Sequence, residues 1–201
     1  MSDSEQIAKN QLRAKASWEK AFESIIYFAE PDARLASDKT KFIRTDDFPR
    51  IKLMVMTAAM YPDISCLINA DIVVGEHLPV VATGLIYKGI LALTSMRYEF
   101  EQDAPNFDRS AIADHGVDFF CATPQVWHKC WKMIPDEFRI GHGGWDSWML
   151  GFLNWHCKLK FLDITPQRCI FHPRHGERKS RYTFSTPEPI FSHLSMFPSH
   201  A

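Results

Sequence analysis

The chain has almost no net charge, no long apolar run and no paired cysteines, and each absence removes a class of protein. Its 23 Lys and Arg nearly balance 24 Asp and Glu. Phosphate affinity comes from clustered Lys and Arg, so a nucleic-acid binder has no electrostatic support. The one basic stretch, RHGERKSR at 174–181, is local. No run approaches the roughly 18 apolar residues of a membrane helix. The opening, MSDSEQIAKNQLRAK, lacks the apolar centre of a signal peptide. A soluble cytoplasmic protein with no membrane partner is therefore expected. Five cysteines, at 66, 121, 130, 157 and 169, are odd in number and show no C-x-x-C, which reads as free thiols in a reducing compartment.

No repeat or low-complexity linker divides the 201 residues, and one domain is expected over 1–180, followed by a Ser/Pro/His-rich tail at 181–201. Residues 4–23 read as a helix with Leu12, Trp18 and Phe22 at helical spacing. SIIYFAE (24–30) and KFIRTDD (41–47) read as strands. Pro49 opens a helix through RIKLMVMTAAMY that stops at Pro62. ISCLINADIVVG reads as one strand, LPVVATGLIYKG as a helix and ILALTSMRYEF as a strand. QDAPNFDRSAIADHG reads as a polar loop, VDFFCATP as a strand, QVWHKCWKMI as a short helix and RCIFH as the last strand. Strands alternating with helices predict an α/β fold with a largely parallel sheet. Ligands of such sheets bind outside the carboxyl ends of the strands.

Three groups carry chemistry. Asn69 and Asp71 interrupt the apolar run CLINADIVVG; two apart on a strand, they would share a face. A carboxylate there can hold a divalent ion on phosphate oxygens, or it can cap the next helix. In IGHGGWDSW (140–148), Gly143 and Gly144 permit positive φ and close ligand approach. Asp146 follows as a base or as an N-cap, with Trp145 and Trp148 as stacking surfaces for a sugar or base. In CIFHPRHGER (169–178), His172 and His175 could bind a metal, with Cys169 as a third donor.

The succession LINADIVVG, ILALTSMRYEFE, GVDFFCATP, IPDEFRIGHGGWDSWML and CIFHPRHGER resembles glycosyltransferases of the GT-A fold over about residues 10–180. The resemblance implies a three-layer α/β sandwich with a mostly parallel central sheet, and a sugar moved from a nucleotide-sugar donor, UDP-sugars first, to an acceptor hydroxyl. By resemblance Asp71 is the last Asp of a D-x-D-type motif and binds Mn²⁺ or Mg²⁺ on the donor diphosphate. Asn69 replaces the first Asp and would touch the ribose or the metal's waters. Asp146 matches the base of inverting members, with Trp145 where Glu is common. His172 matches a late metal-binding His, and His175 is its rival. Arg97 and Asp118 fall where similar proteins contact sugar or acceptor.

The acceptor is open: a glycan, a small molecule, a protein or a modified nucleobase. Family members usually begin with a strand leading into the first helix, whereas here the helical period starts within ten residues. That makes a trimmed fold with an incomplete nucleotide-base pocket, binding without turnover, the first alternative. The second is a zinc-holding interaction module built from Cys157, Cys169, His172 and His175.

Overall fold

A computed structural model describes residues 3–29, 32–45, 49–101, 107–140, 144–155 and 161–174. Gly143, Cys157, His175 and the tail expected at 181–201 lie outside the described residues.

Five α-helices and eight strands alternate along these segments. α1 (Asp3–Ala21) leads to β1 (Ile25–Phe28) and β2 (Thr40–Ile43). α2 (Ile51–Met60), β3 (Ser65–Ile68), β4 (Val73–Val74) and α3 (Leu78–Tyr87) follow. Then come β5 (Ala92–Phe100), β6 (Ala111–Ala122), α4 (Pro124–Cys130), α5 (Trp145–Trp155), β7 (Phe161–Asp163) and β8 (Ile170–Pro173). β1 and β2 form a parallel pair of their own. The main sheet runs β3-β6-β5-β8-β4, with β7 beside the start of β5 and β8 beside its end.

The expected α/β sandwich is what the chain forms. β3, β5, β7 and β8 share one direction, because β6 is antiparallel to both β3 and β5, while β7 and β8 are parallel to β5. The pairing itself is more mixed than a wholly parallel sheet: β6 lies reversed between β3 and β5, and β4 runs against β8.

Period-2 alternation in the strands builds two cores. Leu67, Phe120 and Ala122 face one side, where α2, α4 and α5 pack through Val55, Trp127 and Met149. Phe119, Cys121 and Leu93 face the other, where α1 and α3 supply Ala14, Trp18, Leu78 and Ala82. Helices on both faces explain the apolar stretches of β3, β5 and β6 under them, as expected of interior strands.

Three local expectations are corrected. The inward stripe of α1 is Asn10, Ala14 and Trp18, at steps of four, while Leu12 is exposed. ISCLINADIVVG is two strands: the chain leaves β3 after Ile68, turns through Asn69–Asp71 with the Ile72 N–H donating to the Asn69 carbonyl at 3.1 Å, and re-enters the sheet as β4 on its far edge. Tertiary bonds draw it there. The Trp18 indole N–H donates to the Ile72 carbonyl at 2.8 Å, and the Val74 N–H donates to the Ser17 hydroxyl at 3.0 Å. Finally, residues 111–116, expected in a polar loop, extend β6, since β5 is long enough for Tyr98 and Glu99 to pair Ile112 and Ala111. β7 was not foreseen; three residues are too few to show a period.

Trp18→Phe tests the tie between α1 and the turn. It keeps the buried ring and leaves the Ile72 carbonyl without its donor, so urea unfolding is expected to show a loss of about 1–3 kcal/mol.

Candidate functional site

The polar cluster at the carboxyl end of β3 grows from an irregularity in the sheet. β5 and β6 pair regularly up to Ser95↔Phe119. The register then shifts twice, through Met96↔Val117 to Tyr98↔Ile112. Arg97 and Asp118 lie at that break and have no partner in the ladder. Bulges bend a strand and re-aim its side chains, and this one turns both toward the end of β3.

Asp118 is the hub. Its side chain is only 8% exposed. One carboxylate oxygen accepts from the Asn69 side-chain N–H, and the other accepts from Arg97 Nη1 at 2.5 Å. A carboxylate has only acceptors, so the Asn69 amide must turn its nitrogen inward. Its Oδ1 is then buried without a hydrogen-bond partner among the described residues, as is Arg97 Nε. Arg97 Nη2 reaches Glu99 Oε1 at 3.4 Å. Burial by itself would lower the Arg97 pKa, but Asp118, with Glu99 assisting, carries it above its ordinary value, so the guanidinium stays charged.

Glu99 connects this hub to a second pair. In the parallel β5–β8 ladder it stands opposite His172, with His172 Nδ1 4.0 Å and Arg174 Nε 3.4 Å from its carboxylate. On its other side His172 Nε2 lies 3.5 Å from Asp71 Oδ2. The Asn69–Asp71 turn therefore spans the cluster, with Asn69 on Asp118 and Asp71 on His172. Sequence reading missed Glu99 and Arg174; Glu99 had a signal, lying two residues after Arg97 on a strand and so on the same face.

Asp71 and His172 were tested as cation ligands by their separation. An oxygen and a nitrogen held about 2.0–2.2 Å from one ion stand roughly 3–3.5 Å apart at octahedral or tetrahedral angles. The observed 3.5 Å fits. Among the described residues no three metal-ligating side chains converge. Two protein ligands suit Mg²⁺ or Mn²⁺, which complete their shells with water and substrate phosphates, better than structural zinc, which takes four.

Asp146 is not an N-cap. It occupies the first turn of α5, after Gly144 at φ 93°, and accepts the Val117 N–H at 3.3 Å. That places it one residue along β6 from Asp118, where the positive end of the helix favours a carboxylate. Trp145 is not brought to the cluster: it is buried against Phe120, ring centroids 5.7 Å apart. Trp148 stacks on Phe152 at 4.6 Å. Cys169 turns away from His172 into the core, its Sγ 3.2 Å from His77 Nε2. A cleft of about 880 Å³ also exists, but it lies along the outer edge of β3 and touches none of Asn69, Asp71, Arg97, Asp118 or His172. The chemistry of those five, not the size of that cleft, marks the candidate site.

No family model matches the chain, and no curated protein is similar to it. Among solved structures, a Bacillus anthracis protein assigned as a glucose-1-phosphate thymidylyltransferase, in complex with a sucrose, aligns with a TM-score of 0.38 at 10% identity. The alignment covers 63% of this chain and 57% of that one. At that TM-score the likeness carries no inference about chemistry, which rests on the side chains above.

Two outcomes check this geometry. Asp118→Ala removes the nearer and better buried of the two carboxylates paired with the half-buried Arg97. The expected loss is about 3 kcal/mol in urea unfolding, the low end for a broken buried pair because Arg97 keeps some solvent contact. Burial also pushes the Cys169 thiol up from its ordinary 9.0 to about 11. The unfolded chain loses that proton first, so this contribution is present below about pH 9 and disappears as pH rises through about 11. Urea midpoints across that window should fall more steeply for the native chain than for Cys169→Ala.

Proposed function

We propose that the chain is a metal-dependent glycosyltransferase that moves a sugar from a nucleotide-sugar donor to an acceptor hydroxyl. The observation that carries this reading is the 3.5 Å approach of Asp71 and His172 at the end of β3, next to two buried polar atoms with no partner among the described residues. Asp71 and His172 would hold Mn²⁺ or Mg²⁺. Such an ion neutralises charge developing on a leaving diphosphate. Asn69 and Arg97, held beside this pair by Asp118, would contact hydroxyl or phosphate oxygens of the donor. Both groups are already oriented by Asp118, so little side-chain entropy remains to be lost on binding.

Asp146 is the proposed base, removing the proton of the acceptor hydroxyl as that oxygen attacks the anomeric carbon. The first turn of α5 and the Val117 N–H hold its carboxylate beside Asp118. A single carboxylate in that place supports inversion of configuration. UDP-sugars are the first donors to try.

The second reading, nucleotide binding without turnover, is favoured by one observation. Among the described residues β1 is paired only with β2 and β3 only with β6, so no further strand completes a nucleotide pocket there.

Thermal unfolding with Mn²⁺ and a panel of nucleotide sugars separates the readings. A ligand that binds only the folded chain adds about 2.7 kcal/mol at a hundredfold excess over Kd. A shift requiring both ion and nucleotide, lost in Asp71→Asn, is expected. Asp146→Asn should keep that shift and lower sugar transfer by about 10²–10⁴-fold. A shift with no transfer by the native chain would establish the second reading. No shift with any pair would overturn both.

A further inference from the structure

The cleft along β3 has a construction that the glycosyltransferase reading does not use. Its walls include Ser24, Ile25, Ile26 and Phe28 on one side and every residue from Ile64 to Ile68 on the other. Successive residues of a strand point to opposite faces. A cleft touched by all five residues of such a run borders the edge of the strand, not a face. The same reasoning holds for β1: the Ile25 N–H donates to the Lys39 carbonyl on the β2 side, so the peptide groups of Ile26 turn the other way, into the cleft. Two strand edges, each paired on one side only among the described residues, thus look at each other across a gap.

The roof and floor are helical. α2 contributes Met54, Thr57 and Ala58 to one face, with Tyr61 just past its end, and α3 contributes Leu78, Ala82 and Ile86 to the other. The dimensions match a missing strand. Five extended residues are roughly 16 Å long, and at about 4.8 Å between strands and 10 Å between layers they fill roughly 800 Å³, against about 880 Å³ here. Among the described residues, the only charged ones on the walls are Glu23 and Asp63, both exposed and both acidic.

We infer that this slot is a docking site for an extended segment of a partner protein, about five residues long, apolar on both faces and flanked by Lys or Arg. The segment adds as a strand between β1 and β3 and joins the two sheets into one. Backbone bonds to two edges supply affinity, the apolar faces under α2 and α3 supply specificity, and the flanking cations meet Glu23 and Asp63. Unprotected edges that a strand can template are otherwise a hazard that folds cover.

The test uses the whole chain and a synthetic peptide of five alternating valines and isoleucines with two lysines at each end. Hydrogen exchange is read at amides 25–28 and 65–68 as peptide is added, alongside sedimentation to follow self-association. The expected result is slowing of exchange at both edges by about tenfold or more. N-methylation of alternate peptide residues, which blocks backbone pairing and leaves the protein untouched, should weaken binding at least tenfold. The double variant Glu23→Lys and Asp63→Lys, on exposed positions, should reverse the preference from lysine to glutamate flanks. Three results would overturn the inference: no protection at millimolar peptide, equal binding of the N-methylated peptide, or protection of both edges without peptide in a dimer of this chain.

Discussion

Asp118 is buried at 8% exposure between two donors, Asn69 and Arg97, that reach it from different strands. A buried carboxylate is tolerated only when its oxygens are hydrogen-bonded and a counter-charge is near, so the end of β3 must meet the irregular stretch of β5 and β6 at one point. β3 must stop where Asn69 can turn inward, β5 must present Arg97, and β6 must run reversed between them to deliver Asp118. The bulge between β5 and β6 follows from this demand, because a regular ladder would leave Arg97 and Asp118 on pairing registers of their own.

From that point the network continues through Glu99 to His172 and Asp71. Each step is too weak or too exposed to be decisive singly; together they orient the groups that would face a ligand. α1 closes the arrangement from outside the sheet. By bonding the backbone at Ile72 and Val74, Trp18 and Ser17 hold the chain as it leaves Asp71 for β4. The site is thus supported on both sides of the Asn69–Asp71 turn by groups that never touch a substrate.

β3 links the candidate site to the apolar slot. Its carboxyl end carries Asn69 into the polar cluster, and its outer edge forms a wall of the apolar slot.

Much of the architecture was legible because it rests on local pattern. The alternation of helical and β-branched runs determined the α/β class. Pro49 and Pro62 bounded a helix through their fixed φ and missing N–H. Asp71 near a strand end, His172 on the last strand and Asp146 at a helix start could be picked out by residue type and position. What local pattern could not decide was who meets whom. Nothing in CLINADIVVG shows that the chain breaks after Ile68 and crosses to the far edge; bonds from α1, more than fifty residues away, decide it. Trp145 looked like a stacking surface, and only the packing of α5 on β6 buried it against Phe120. Cys169 and His172 are close in sequence yet part company: Cys169, just before β8, packs in the core with Ile170, whereas His172, three residues on, lies against Asp71 and Glu99. Side-chain chemistry is written residue by residue, whereas burial and partnership are properties of the whole packed chain, and those belong to the tertiary structure alone.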